Sequence, residues 1–215
     1  MKKIFPILFL LITITVFSQE QVDSTSKHKN AWYLGTAIAG TFANSSNSNS
    51  FSQQNLKHTP DVESSFLLFA EYNRKRKRVI AGIKTGFSYD HLKYHDAFNK
   101  WKYYSQYSTL NLPLIVECGY EKKILLCANS GIQLGYLLSN QMWDKPNSNF
   151  LVFARGGIKI GYNLKDNLKI AIGYNRAYAI TPLTYSHYDA LTGGAYHYSN
   201  YLMYSLLQLE LAYKL

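Results

Sequence analysis

From Tyr201 to Leu215 the side chains alternate without a break. One face carries Tyr201, Met203, Ser205, Leu207, Leu209, Leu211, Tyr213 and Leu215; the other carries Leu202, Tyr204, Leu206, Gln208, Glu210, Ala212 and Lys214. Strict period two over this length predicts one long β-strand with different surroundings on its two faces. The strand runs to the last residue, so the chain is expected to end inside a sheet. The same pattern recurs upstream. Eight alternating segments cover Ala31–Ala43, Ser64–Asn73, Val79–Asp90, Tyr104–Tyr120, Ile124–Leu138, Phe150–Leu164, Leu168–Ala179 and Tyr201–Leu215.

The connections alternate in length. Arg74–Arg78, Glu121–Lys123 and Lys165–Asn167 are tight and charged, whereas Asn44–Glu63, His91–Tyr103, Ser139–Asn149 and Ile180–Asn200 are long and polar. Short turns at one end and long loops at the other predict an all-β fold, an eight-stranded antiparallel up-and-down transmembrane β-barrel. The short turns and both termini then face the periplasm.

Parity sharpens this expectation. Leu34, Ile38, Phe66, Leu68, Ile83 and Phe87 fall on the apolar face, as do Leu112, Leu114, Leu126, Ile132, Ile160 and Ile172. Arg176 is the one charge on that face; Glu71, Lys84, Asp90, Glu117, Arg155, Lys159, Lys169, Glu210 and Lys214 all fall on the other. An Arg or Lys on the lipid side at the bilayer midplane costs roughly 2–4 kcal/mol, which explains a face emptied of charge. Pro113 is awkward, because it brings no donor to the ladder and a closed barrel has no edge to hide it on. It is expected at a bulge, or at the start of the membrane span of its strand.

The chain has 19 Tyr and 15% aromatic residues, and their positions matter. Trp32, Tyr72, Tyr120, Tyr162 and Tyr213 lie at strand ends beside the short turns or termini, on the uncharged face. Tyr89, Tyr104, Tyr136, Tyr178 and Tyr201 lie near the long-loop ends of the same face. Generic strand propensity of tyrosine does not make both sets share one face, so two aromatic girdles are predicted.

Ahead of the strands, Lys2-Lys3 and the apolar run Ile4–Val16 read as a signal peptide, residues 1–18, cut before Gln19. The run is short for a transmembrane helix. Residues 19–30 are expected to form a short periplasmic segment and residues 31–215 the barrel domain. No later window is apolar and long enough for a membrane helix, so membrane residence requires a barrel. A mean hydropathy of −0.19 fits, because half of each barrel strand is polar. Cys118 and Cys127 fall on opposite faces of adjacent strands, which argues against a disulfide between them.

The inward charges are the candidate chemistry. An eight-stranded lumen is just wide enough to be filled by side chains. Glu71, Lys84, Glu117, Arg155, Lys159 and Glu210 are therefore expected to pair as a buried salt-bridge cluster that plugs the barrel. The alternatives are a narrow ion path or a catalytic carboxylate pair.

The segment Leu110-Asn111-Leu112-Pro113-Leu114-Ile115-Val116-Glu117 resembles the L-x-(I/L)-P-L-L-x-K strand of the PorT-like outer-membrane β-barrel family, with Glu117 where a basic residue is commoner. Signal peptides in that family often end near Ser-Gln, as at Ser18-Gln19. The resemblance extends to the layout of the mature chain: signal, eight strands and a proline in the fourth. It implies a small barrel in the outer membrane of a Gram-negative bacterium and no single activity.

The formal net charge is +10, or +8 without Lys2 and Lys3, and most of the excess sits in the short turns. Arg74–Arg78 reads as a solvated turn near anionic headgroups, and nucleic acid is not an expected partner. Membrane lipids and the barrel-assembly machinery are the expected partners. Arg176 would face either lipopolysaccharide phosphates or water. Asn44–Ser50 is of low complexity. The last loop holds Tyr185, His187, Tyr188, Asp189, Tyr196, His197 and Tyr198, and with His91 and His95 a metal site can be drawn. Nothing fixes the spacing between these loops, so neither metal nor cofactor is expected. G-x-S-x-G, H-E-x-x-H, phosphate-loop and C-x-x-C motifs are all missing.

Three functions compete. A non-catalytic outer-membrane barrel would act through its loops or as a structural component. A rim-site enzyme acting on lipid or peptide would use Asp90, His91, His187 and Asp189. A soluble lipocalin-like carrier would need an apolar interior and a charged exterior. The first is expected, with an unnamed partner for the loops.

Overall fold

The computed structural model describes residues 29–47, 57–60, 62–98, 101–140, 146–165, 167–189 and 194–215, with side chains over a narrower set. The predicted signal peptide and most of the 19–30 segment lie outside these residues. Among the described residues ten strands follow one another: β1 (Lys29–Asn47), β2 (Lys57–Pro60), β3 (Val62–Arg76), β4 (Val79–Phe98), β5 (Trp101–Glu121), β6 (Ile124–Asn140), β7 (Phe150–Lys165), β8 (Leu168–Ala179), β9 (Leu183–Asp189) and β10 (Gly194–Lys214).

Eight of them form the wall. The order is β1-β3-β4-β5-β6-β7-β8-β10, each neighbour antiparallel, and β10 pairs back onto β1 from Tyr33↔Lys214 to Asn47↔Asn200. The barrel is closed and no wall strand has a free edge. Among the described residues no helix is long and apolar enough to cross a membrane. The strands can cross instead, because closure satisfies the backbone laterally.

The alternation sorts side chains as the sequence predicts. Leu34, Ile38, Leu68, Phe87, Ile158 and Leu209 are exposed on the outer surface, with Ile38 60% and Phe87 62% accessible. Their in-sequence neighbours Ala37, Leu67, Phe69, Ser88, Lys159 and Gln208 are buried in the lumen. An apolar outside around a charged inside is the reverse of what a soluble carrier requires.

The predicted loops are the part that changes. β4 runs eight residues past Asp90, β5 starts at Trp101, and the two stay paired to Phe98↔Trp101, so most of His91–Tyr103 is strand. The stretch 180–200 holds a hairpin, β9 against the start of β10, from Asn200↔Leu183 to Gly194↔Asp189. The stretch 44–63 holds β2, which pairs with β4. A span needs about 9–11 tilted residues, so strands of 20 and 21 residues continue well beyond it. Outside the bilayer both faces are wet and alternation is no longer enforced, while backbone pairing continues. At the other end the turns are tight: Arg76↔Val79 closes the first around Lys77, whose φ of 55° is the left-handed conformation.

Pro113 is not at a bulge. The bulge in β5 falls at Ser108/Thr109. Pro113 is buried in mid-strand, and its pairing with Gln133 of β6 is unbroken. The ladder to β4 is interrupted instead, between Thr85↔Leu114 and Ser88↔Asn111. The missing N–H thus costs one local gap on a single side. Gly86 stands in that gap, and a Cβ there would meet the Leu68 carbonyl oxygen at 1.9 Å and Phe69 Cα at 2.7 Å. Gly86→Ala must push β3 and β4 apart where β5 gives no support. We expect a loss of roughly 1–3 kcal/mol, read from urea unfolding of the refolded protein.

Candidate functional site

The lumen is filled by one polar network with apolar packing at its ends. Toward the long-loop end, Asp90 of β4 is fully buried. It accepts from Asn111 Nδ2 at 2.9 Å, Tyr204 OH at 2.8 Å, Gln133 Nε2 at 3.4 Å and the Ser65 hydroxyl. Gln133 also donates to Tyr204 OH at 2.6 Å and accepts from Arg155 Nη1 at 3.1 Å. Arg155 Nη2 donates to Gln208 Oε1 at 2.9 Å, which also accepts from Asn175 at 3.0 Å. The Gln208 amide then donates to Glu210.

Glu210 opens the ionic layer. Lys84 Nζ lies 2.6 Å from Glu210 and 3.3 Å from Glu117. Lys159 Nζ reaches three carboxylates, Glu117 at 2.5 Å, Glu210 at 3.4 Å and Glu71 at 3.6 Å. Glu71 takes Lys169 at 2.6 Å and the Asn73 amide at 2.5 Å. Two ammonium groups also sit over aromatic faces, Lys84 at 4.2 Å from the Phe69 ring centre and Lys169 at 4.3 Å from that of Tyr33.

Strand stagger, invisible in sequence, decides these partners. Lys84 of β4 and Glu71 of β3 are cross-strand neighbours in register, yet Lys84 is bound across the lumen to Glu210 of β10. Five of the six predicted cluster residues come together: Glu71, Lys84, Glu117, Lys159 and Glu210. Arg155 does not join them. It sits one layer higher, between two glutamine carbonyls, and Lys169 takes its place in the ionic layer. A charge count was the available signal: three glutamates at one depth need three cations near that depth, and Lys169 lies at the turn-proximal level of Glu71.

Among the described residues the buried charges balance, Glu71, Asp90, Glu117 and Glu210 against Lys84, Arg155, Lys159 and Lys169. Each carboxylate has a cation or several donors, so none of the four is left as a free base. Above the polar layers, Leu92, Tyr107, Leu151, Phe153, Leu202 and Leu206 belong to one buried apolar cluster. The Tyr204 ring meets Phe153 edge-on at 5.5 Å, joining the two regions.

The outer aromatics fall at two levels. Near the short turns, Trp32 and Tyr72 pack at 5.0 Å between ring centres. The Tyr120 hydroxyl accepts from Arg78 at 3.0 Å and that of Tyr213 from Asn167 at 2.9 Å, while Tyr162 is exposed. Toward the long loops, Tyr178 stacks on Tyr201 at 6.2 Å, Tyr136 meets Phe150 at 5.2 Å, and Tyr89 is exposed. The side chain of Tyr104 lies outside the described residues.

The drawn rim dyad separates. Asp90 points into the lumen, and His91, next in the strand, points the other way. The His91 ring nitrogens lie 2.9 Å from Ser108 Oγ and 2.9 Å from Gln106 Nε2. The side chains of His95, Tyr185, His187, Tyr188, Asp189, Tyr196, His197 and Tyr198 lie outside the described residues. Among the described residues no group of His, Cys, Asp or Glu is arranged to hold a metal ion. Arg176 is on the outer surface, with Nη2 3.1 Å from Met203 Sδ. Cys118 and Cys127 are free thiols.

No family model matches this chain, and no curated protein matches it. Among solved structures it is similar to the outer membrane protein OprG from Pseudomonas aeruginosa, with a TM-score of 0.56 and 10% identity over 90% of this chain and 99% of that one. Neisserial surface protein A follows at a TM-score of 0.46, 10% identity, 87% and 99% coverage. The attachment invasion locus protein Ail of Yersinia pestis follows at 0.44, 7% identity, 86% and 99% coverage. The likeness to OprG, with a TM-score above 0.5, agrees with the closed barrel described above. In fold the chain is a small outer-membrane β-barrel.

Proposed function

We propose that this protein is a non-catalytic integral outer-membrane barrel with a plugged lumen, in the outer membrane of a Gram-negative bacterium. It acts through its long-loop end or as a structural component. The observation that carries this reading is the charge-balanced network inside a predominantly apolar outer wall. Side chains fill the lumen, so transport through it would require breaking several buried ion pairs at once. The outward tyrosines and Trp32 serve as girdles at the two lipid–water interfaces. Leaflet lipids and the barrel-assembly machinery are the proposed partners, with lipopolysaccharide phosphate beside Arg176. Affiliation with the PorT-like family is proposed on the segment Leu110–Glu117 and on the strand layout.

Planar-bilayer recording of the purified protein tests the plug. The expected record is a baseline without steady unitary currents. Stable open-pore conductance would refute a sealed lumen.

A further inference from the structure

Among the described residues the buried charges of the lumen balance, whereas the short-turn mouth carries an excess of positive charge. At the short-turn end the barrel opens into a concave vestibule of about 640 Å³, a size suited to a small organic ligand. Its wall presents Lys75, Lys122, Lys165, Lys169 and Lys214 against a single carboxylate, Glu121.

Some of these cations are committed. Lys169 belongs to Glu71 at 2.6 Å. Lys75 holds Glu121 at 3.2 Å, and the same Glu121 oxygen accepts from Asn163 at 2.8 Å. Among the described residues the ammonium groups of Lys122, Lys165 and Lys214 have no acidic partner; Asp166, in the same turn as Lys165, lies outside them. The vestibule therefore keeps about three uncommitted positive charges facing one cavity, while its one acid is already neutralised. Like charges gathered in a low-dielectric cleft repel one another and concentrate the field on an incoming anion. Lysines meet phosphate as rotatable point charges, so the arrangement suits an anion of several charges without demanding one geometry.

Apolar surface is present too. Tyr33 and Ile80 line the vestibule with Leu164 and Leu168 at the rim. A bare ion would leave that surface and most of the volume unused.

We propose that the short-turn mouth is a binding site for an organic phosphate carrying at least two negative charges. Its periplasmic placement rests on the barrel reading above; the site itself rests on the cavity and its charges. Two sources share this chemistry, a soluble periplasmic phosphate compound and an anionic phospholipid headgroup entering over Leu164 and Leu168.

The full chain, refolded in zwitterionic detergent, is titrated calorimetrically with pyrophosphate. In parallel it is reconstituted in nanodiscs of mixed cardiolipin, which carries two phosphates, and phosphatidylcholine, and retained lipid is counted by native mass spectrometry. The lining variant is Lys122→Gln/Lys165→Gln/Lys214→Gln. The control, Lys77→Gln/Arg78→Gln/Lys123→Gln, removes equal charge from the same end outside the cavity. Saturable pyrophosphate binding, weakened on the order of tenfold or more in the lining variant and little in the control, supports the site with a soluble source. Selective retention of cardiolipin, lost only in the lining variant, supports it with a lipid source. Absence of both, or equal loss in both variants, overturns it. The compact band on an unheated gel reports the barrel separately: missing binding with that band intact counts against the site alone.

Discussion

Lys159→Met is expected to cost the folded barrel about 3–5 kcal/mol, because it leaves buried carboxylates short of a cation. Lys159 is the one ammonium that reaches Glu71, Glu117 and Glu210, at 3.6, 2.5 and 3.4 Å. Without it three glutamates share Lys84 and Lys169. Methionine fills much of the same volume, so the loss reports charge more than packing. The contrast with Lys159→Met/Glu117→Gln makes the point stricter. The double variant removes one charge of each sign and should recover much of the stability lost in the single one. Urea unfolding of the protein folded into lipid vesicles measures both. A single-variant loss below about 1 kcal/mol would mean that the ionic layer is solvated and the lumen is not sealed there.

Leu209→Arg and Leu211→Arg attack the opposite face. Both leucines are exposed on the outer wall, and they pair with Ile172 and Ile170 of β8, whose side chains share that wall. Leu209→Arg, nearer mid-bilayer, should cost about 2–4 kcal/mol and Leu211→Arg, next to the Tyr213 girdle, somewhat less, and insertion carries that cost at once. Membrane levels of both variants should fall sharply in a fractionation blot. Gln208→Ala, on the inward face just before Leu209, is harmless by sequence reasoning alone. The network changes that expectation: Gln208 accepts from Arg155 and Asn175, and its loss leaves buried donors without an acceptor, at about 1–3 kcal/mol. Normal levels of both arginine variants would contradict the outward assignment of β10.

Parity was legible in the sequence for a physical reason. Lipid tolerates almost no charge, so the outer face of each span is written residue by residue, and Glu71, Lys84 and Glu117 could be turned inward without coordinates. What lies outside lipid was not legible. The stretch from His91 to Tyr103 shows no clear apolar–polar alternation in the sequence and reads as loop, although the ladder continues to Phe98↔Trp101. Depth was legible only coarsely. The sequence sets Arg155 higher than Lys84 and Lys159 but not apart from their cluster; side-chain reach and strand stagger put it beside Gln133 and Gln208. Asp90, inward by parity and a candidate rim residue only in the enzyme reading, is the hub of the upper network. Its partners Ser65, Asn111 and Tyr204 come from three other strands and no local pattern joins them.

The central claim is that alternate residues of the wall meet lipid and a sealed interior. Spin labels placed one at a time at positions 206 to 212 of β10, in a Cys118→Ala/Cys127→Ala background in lipid vesicles, test it most directly. Leu207→Cys, Leu209→Cys and Leu211→Cys should give labels relaxed strongly by membrane-dissolved oxygen and weakly by a water-soluble nickel chelate. Leu206→Cys and Ala212→Cys should give labels shielded from both. Strong relaxation of the odd-position labels by the nickel chelate, or oxygen relaxation that does not alternate along the strand, would contradict a lipid-embedded barrel.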